Sequence, residues 1–137
     1  MASIEVTKDF PLSAGDVWSW IGDTGAVAAW IPAIDASRMD GDVRHVVFTD
    51  GAPARERIVA FDEEARTYSY EYIDGPLPLE HYRSTISVTA VGDDTCSVHW
   101  SAKFGAESAT VETELATAIE GIYAAALDEL ATKAVPA

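Results

Sequence analysis

Glu56 stands between Arg55 and Arg57, in a stretch where Ile58 and Ala60 share its phase on a period of two. If that stretch is a strand with Ile58 and Ala60 turned inward, Glu56 turns inward as well. A carboxylate in an apolar interior is desolvated, which raises its pKa and suits it to acid–base work or to holding a cation. The same position also fits a carboxylate wetted at an edge, or one neutralised by a buried arginine. Arg44 is the candidate for that arginine, because it shares a strand phase with Val46 and Phe48. His81 follows a proline-rich segment and precedes Tyr82. At the rim of a pocket an imidazole titrating near neutrality can move a proton or bond a carbonyl. Only Glu80 is at hand to orient it, and a solvated loop histidine fits equally. Tyr70, Tyr72 and Tyr82 form the strongest cluster: buried phenols need partners for their hydroxyls, which a bound molecule can supply, although core stacking also accounts for them. Trp30 and Trp100 add aromatic wall on the same two readings.

Other chemistries find no support. His45 and His99 fall on the outward phase of their strands, and the three histidines share neither a helix face nor metal-ligand spacing. Cys96, the lone cysteine, lies on an apolar strand face, so neither a zinc site nor an internal disulfide is expected. No glycine-rich phosphate loop or G-x-S-x-G elbow occurs. No metal and no cofactor are expected.

The elements that must position these residues can be read from hydrophobic period and punctuation. Ile4, Val6 and Phe10 alternate with polar residues, which predicts a first strand ended by Pro11. Ser13 with Asp16 three residues on predicts a capped short helix carrying Val17, Trp18 and Ile21 and stopped at Gly22. A second short helix is predicted over Gly25 to Trp30, capped by Asp23 or Thr24 and closed by Pro32. From Ile34 to Phe104 the pattern turns to strands, with turns at Asp40-Gly41-Asp42, Asp50-Gly51-Ala52-Pro53, Asp62-Glu63-Glu64 and Gly92-Asp93-Asp94. The segment Asp74 to Glu80 is an apolar loop, since its prolines withhold ladder donors. A helix from about Glu107 to Lys133 carries an apolar stripe through Val111, Leu115, Ile119 or Ala118, Ile122, Ala126 and Leu130. The expected fold is α+β: a curved seven-stranded antiparallel sheet around a long C-terminal helix, with two short helices after strand 1. One helix cannot fill so large a curved sheet, so the remaining space is cavity, aromatic filling or both.

The chain of 137 residues suits a single domain, 1–137, with enough core to fold without disulfides. Its formal net charge of −14, from 23 acidic and 9 basic residues, repels phosphate backbones and anionic lipid. Nucleic acid and membranes are therefore not expected partners. The lone cysteine and the absence of a signal-like leader point to a cytoplasmic protein, monomeric or homodimeric.

Four stretches resemble a known superfamily: Phe10-Pro11-Leu12-Ser13-Ala14-Gly15-Asp16-Val17-Trp18, Trp30-Ile31-Pro32, Gly75-Pro76-Leu77-Pro78-Leu79 with Tyr82, and Trp100-Ser101-Ala102-Lys103-Phe104. In this order they resemble the START-like, Bet v 1-like (SRPBCC) superfamily with the helix-grip fold, in particular its polyketide cyclase/dehydrase-like branch. The resemblance covers nearly the whole chain and implies a cavity between sheet and long helix that admits hydrophobic molecules. It also implies two mouth loops: Thr49 to Pro53 resembles the gate of the plant abscisic-acid receptors, and Gly75 to Tyr82 sits where their latch does. The gate here lacks the receptors' Leu before Pro, and the latch lacks their His-Arg pair. An inward Glu takes part in polar ligand contacts of those receptors at the place of Glu56.

The expected function is binding of a hydrophobic, aromatic or polycyclic small molecule. The lining is expected from Trp30, Phe48, Glu56, Tyr70, Tyr72, Leu77, Tyr82, Trp100, Leu115, Ile119 and Ile122. The alternative is a cofactor-free polyketide cyclase or dehydratase, with Glu56 or His81 shuttling protons and Tyr82 polarising a carbonyl. A protein-interaction module would need a large exposed apolar patch, which the sequence does not display.

Overall fold

Alternation at the N-terminus produces the first strand of the computed structural model, which describes residues 1–134. Strand β1 (Ala2–Phe10) buries Ile4 and Phe10 and exposes Glu5, Thr7 and Asp9. Helix α1 (Ala14–Ile21) follows, with the Ser13 hydroxyl accepting from the Asp16 N–H at 3.1 Å. That bond satisfies one of the donors a helix start leaves free. A Cβ at Gly22 would lie 2.6 Å from the Trp18 ring, so the indole folds back against the helix end only because Gly22 has no side chain. The second short helix is a 3-10 segment, Thr24–Ala29, and Asp23 makes no side-chain cap to it. Ser37 on the following strand ties it down instead, donating to the Gly25 carbonyl at 2.9 Å and accepting from the Ala28 N–H at 3.0 Å.

Six strands then run in sequence: β2 (Ile34–Asp40), β3 (Val43–Phe48), β4 (Pro53–Asp62), β5 (Thr67–Asp74), β6 (Glu80–Gly92) and β7 (Thr95–Gly105). Each pairs antiparallel with its sequence neighbour, and β1 closes the far side on β7, giving the order β1-β7-β6-β5-β4-β3-β2. Side chains at Tyr82, Ser84, Ile86 and Val88 on β6 and at Cys96, Val98, Trp100, Ala102 and Phe104 on β7 face the interior, as alternation requires. The phase breaks on β4. A bulge between Ile58 and Ala60 leaves Ala60 exposed, against the expectation from the sequence, and places Phe61 rather than Ala60 opposite Tyr68. Such an extra residue bends and twists the strand.

Helix α2 (Ala109–Lys133) has 25 residues, a length of roughly 37 Å at ~1.5 Å per residue. It begins two residues after Glu107, where the Ser108 hydroxyl accepts from the Val111 N–H at 3.2 Å. Its buried stripe is Leu115, Ile119, Tyr123, Ala126, Leu127 and Leu130. The helix packs mainly on β1 and β7, α1 touches β6 and the 3-10 segment touches β3, so the middle of the concave face is only partly filled by helix. The fold is the helix grip: seven antiparallel strands curved about one long helix, with two short helices after strand 1. Among the described residues no helix is long and apolar enough to cross a membrane.

Candidate functional site

The space that α2 leaves open is a cavity of about 70 Å³. Strands β3, β4 and β5 supply one wall, β6 and β7 the floor, and Ile119, Ile122 and Tyr123 of α2 the opposite wall. Leu77 and Leu79, from the loop between β5 and β6, cover one side. That loop is held by Tyr72, whose hydroxyl accepts from the Leu77 N–H at 3.1 Å. A Cβ at Gly75 would run into the Tyr72 hydroxyl and lie 2.7 Å from the Ala54 Cβ, so only glycine lets the loop leave β5 over this phenol.

One end of the cavity is ionic. Strand registry puts Arg44 opposite Glu56 and Glu56 opposite Tyr72. The Arg44 Nε donates to Glu56 Oε1 at 2.9 Å, and its Nη1 donates to the Thr24 carbonyl at 3.1 Å and the Tyr68 hydroxyl at 3.2 Å. The guanidinium also lies 4.7 Å from the Tyr70 ring centroid, within cation–π range. Burial opposes the Arg44 charge, but Tyr68, Glu56 and Tyr70 around it outweigh burial and raise its pKa. Glu56 is therefore the partly buried half of an ion pair with a buried arginine rather than a lone carboxylate in an apolar pocket. Its neighbours face out: Arg55 pairs with Asp74 at 2.5 Å and Arg57 with Asp42 at 3.5 Å, all four side chains largely exposed.

The other end is phenolic. Tyr123 lies on Trp100, and its hydroxyl meets Ser84 Oγ at 2.8 Å, the Tyr82 hydroxyl, and the Tyr70 hydroxyl at 3.5 Å. Ser84 also accepts from Trp100 Nε1 at 3.1 Å and donates to the Ser101 carbonyl at 3.0 Å. Burial, with the Glu56 charge adding to it and Arg44 opposing, pushes Tyr70 up to about 12. Burial likewise holds Tyr82 and Tyr123 well above the usual tyrosine range. These phenols are hydrogen-bonding groups at neutral pH and are too weakly acidic to serve as bases.

Of the residues singled out in the sequence, Phe48, Glu56, Tyr70, Tyr72, Leu77, Tyr82, Trp100, Ile119 and Ile122 line the cavity. Three do not. Trp30 is wholly buried behind Trp100, with ring centroids 5.6 Å apart, and is core. Leu115 lies one turn of α2 before Ile119 and packs in the core outside the lining. His81 has φ 53° at a bulge between Glu80 and Arg83, which turns it to solvent while Tyr82 turns in. The turn at Asp50 to Pro53 contributes nothing to the lining either; Phe48, just before it, does. Tyr123 and Ser84 were missed as site residues. Tyr123 follows Ile119 by four residues, so helical period alone places it on the inner stripe. Ser84 shares the inward phase of Tyr82 and Ile86, and a hydroxyl there is a buried polar group that needs partners.

A family profile described as polyketide cyclase / dehydrase and lipid transport matches residues 1–135. The chain belongs to this family. Among solved structures, this cyclase/dehydrase-family chain is similar to the protein XoxI from Bacillus cereus. The two are 31% identical with a TM-score of 0.91, over 97% of this chain and 95% of that one. Two more distant structures share the fold. One is the ZhuI aromatase/cyclase from Streptomyces sp. R1128, 14% identical, TM-score 0.84, covering 97% of this chain and 93% of that one. The other is norcoclaurine synthase from Thalictrum flavum in complex with dopamine and hydroxybenzaldehyde, 20% identical, TM-score 0.74, covering 96% of this chain and 84% of that one. No protein of curated function matches. With the family shown, the Bet v 1-like, START-like (SRPBCC) superfamily is established for this chain.

Proposed function

We propose that this family member binds a hydrophobic small molecule with an aromatic ring in the cavity between sheet and α2. The observation that carries the reading is a mostly apolar, aromatic-walled cavity that ends on a buried Arg44–Glu56 pair. Binding sites of this kind are largely apolar with a few placed polar groups that orient the ligand. At about 70 Å³ the cavity is several-fold below the ~300 Å³ at which drug-sized sites begin. A single ring therefore suits it better than a polycycle, and entry requires the Gly75–Leu79 loop to part from Tyr72. The test is native mass spectrometry of freshly purified protein, followed by solvent extraction and identification of any released molecule. A co-purifying aromatic at one per chain is the expected result. Protein that stays empty and whose amide shifts ignore a panel of single-ring aromatics at millimolar concentration would sink the reading.

A second reading, a cofactor-free cyclase or dehydratase, is favoured by the family description and by Glu56 facing the cavity. There the ion pair would have to open for Glu56 to carry a proton. It predicts that Glu56→Gln loses turnover while retaining binding; a carrier has no turnover to lose.

A further inference from the structure

The hydroxyl chain at the phenolic end can run in only one sense. An indole N–H can only donate and a carbonyl oxygen can only accept. Trp100 Nε1, at 3.1 Å, therefore occupies one lone pair of Ser84 Oγ, and the Ser101 carbonyl, at 3.0 Å, takes the single Ser84 hydrogen. What remains to Ser84 is a lone pair, so the 2.8 Å contact with Tyr123 must carry the Tyr123 hydrogen. Tyr123 in turn has only lone pairs left for Tyr82, which donates to it, while the Tyr70 hydroxyl at 3.5 Å is beyond the usual O–H···O range. Tyr82 lines the cavity with its hydrogen already committed, so it offers an incoming molecule an acceptor. The raised pKa values of all three phenols keep the chain protonated across the neutral range. On this arrangement Tyr82 accepts from a bound molecule, whereas the sequence-based expectation has it polarise a carbonyl.

The ionic end has the opposite sense. Arg44 spends Nε on Glu56 and both Nη1 hydrogens on Thr24 and Tyr68. Its Nη2 has no partner among the described residues, although the side chain is only 3% exposed. It is not sealed off either, since the one walled-in polar side-chain atom lacking a partner there is Trp30 Nε1. Arg44 lines the cavity, and Nη2 is its one nitrogen left with free donors. Glu56 cancels the guanidinium charge, and the chain carries −14 overall. A neutral carbonyl therefore fits this end better than a carboxylate, which the surrounding field repels.

We propose that the cavity selects a neutral hydroxyaryl carbonyl compound, its carbonyl oxygen accepting from Arg44 Nη2 and its phenolic hydroxyl donating to Tyr82. This rests on the binding reading above and names the ligand chemistry of that same site. Three matched probes separate the contributions: 4-hydroxyacetophenone, 4-methoxyacetophenone, which lacks the donor, and 4-ethylphenol, which lacks the acceptor. Affinities are measured by calorimetry or amide-shift titration on the whole chain, with ethylbenzene, a single apolar ring, as a control for apolar binding. The hydroxy ketone is expected to bind roughly tenfold or more tighter than either analogue, because a mismatched analogue leaves a buried polar group unpaired. Tyr82→Phe should erase the hydroxy-over-methoxy preference. Ser84→Ala should erase or invert it, since Tyr123 is then free to donate to Tyr82 and Tyr82 to the ligand. A merely structural role for Ser84 would weaken all three probes alike. Equal affinity of the hydroxy and methoxy ketones in the native chain overturns the proposal but leaves apolar binding standing. No binding of any ketone overturns it too, and ethylbenzene then reports whether the cavity reading survives.

Discussion

Tyr123 lies flat on Trp100, with ring centroids 3.9 Å apart and planes 6° from parallel, while its hydroxyl reaches Ser84 at 2.8 Å. One side chain of α2 thus touches β7 through its face and β6 through its oxygen. Tyr123→Phe keeps the stack and orphans a Ser84 lone pair and the Tyr82 hydrogen. It should cost about 1–3 kcal/mol, the penalty for buried polar groups that lose their partner. Tyr123→Ala should cost about 3–5 kcal/mol through the added cavity. Urea unfolding with an unchanged slope checks both, and a Phe variant as stable as the parent would remove the hydroxyl from the account of how α2 is anchored.

The Arg44–Glu56 pair should behave as a coupled unit. Arg44→Met leaves a carboxylate facing an apolar cavity, at an expected cost of about 3–5 kcal/mol. Glu56→Gln keeps an oxygen for Arg44 Nε and should cost less. The double change Arg44→Met with Glu56→Leu should recover most of the loss, since replacing a buried pair by apolar residues is often near neutral. A double-mutant cycle with no coupling energy would mean the pair is screened through the mouth.

Alkaline pH should unfold the chain through its phenols. Tyr70 is raised to about 12 by burial in the folded state, above its ordinary value near 10. A raised acid favours folding fully below pH ~10, and that contribution, about 2–3 kcal/mol for this residue, is lost as pH climbs towards 12. Tyr82 and Tyr123 push in the same direction. Absorbance at 295 nm and far-ultraviolet circular dichroism, followed together, should show the buried phenols ionising with unfolding. Smooth ionisation of every tyrosine near pH 10 with the fold intact would contradict this.

Gly75→Ala should loosen the loop over the cavity, because the new methyl meets the Tyr72 hydroxyl and lies 2.7 Å from Ala54 Cβ. Overpacking of this kind costs about 1–3 kcal/mol. Adding Tyr72→Phe should restore part of the loss by removing the atom most crowded. Limited proteolysis between Pro76 and Leu79 reads the effect; cleavage unchanged in the single variant would show that the loop is not held by this contact.

Most of the architecture was legible because alternation and turn chemistry are local. The Ser13 cap, the turn at Gly41 and the inward set Tyr82, Ser84, Ile86 and Val88 need only neighbours in sequence to be inferred. The errors fall where one residue breaks a period. The bulge after Ile58 reversed the side of Ala60, and the left-handed backbone at His81 turned the imidazole outward. An extra residue in one strand is visible only against its partner strand.

The sequence by itself determined the succession of strands, the Ser13 cap, the long helix and the supply of interior aromatics, since these follow from periodicity and from single-residue backbone preferences. It offered an inward Glu56 through the phase shared with Ile58, beside the alternative of a carboxylate wetted at an edge. Only tertiary structure decided what meets Glu56, and how hydrogens run among Tyr82, Tyr123 and Ser84. Arg44, Glu56 and Tyr68 come from three strands, and the phenols from β5, β6 and α2. Contacts across elements depend on register and on where α2 seats, and a donor acquires its direction only once every acceptor around it is in place.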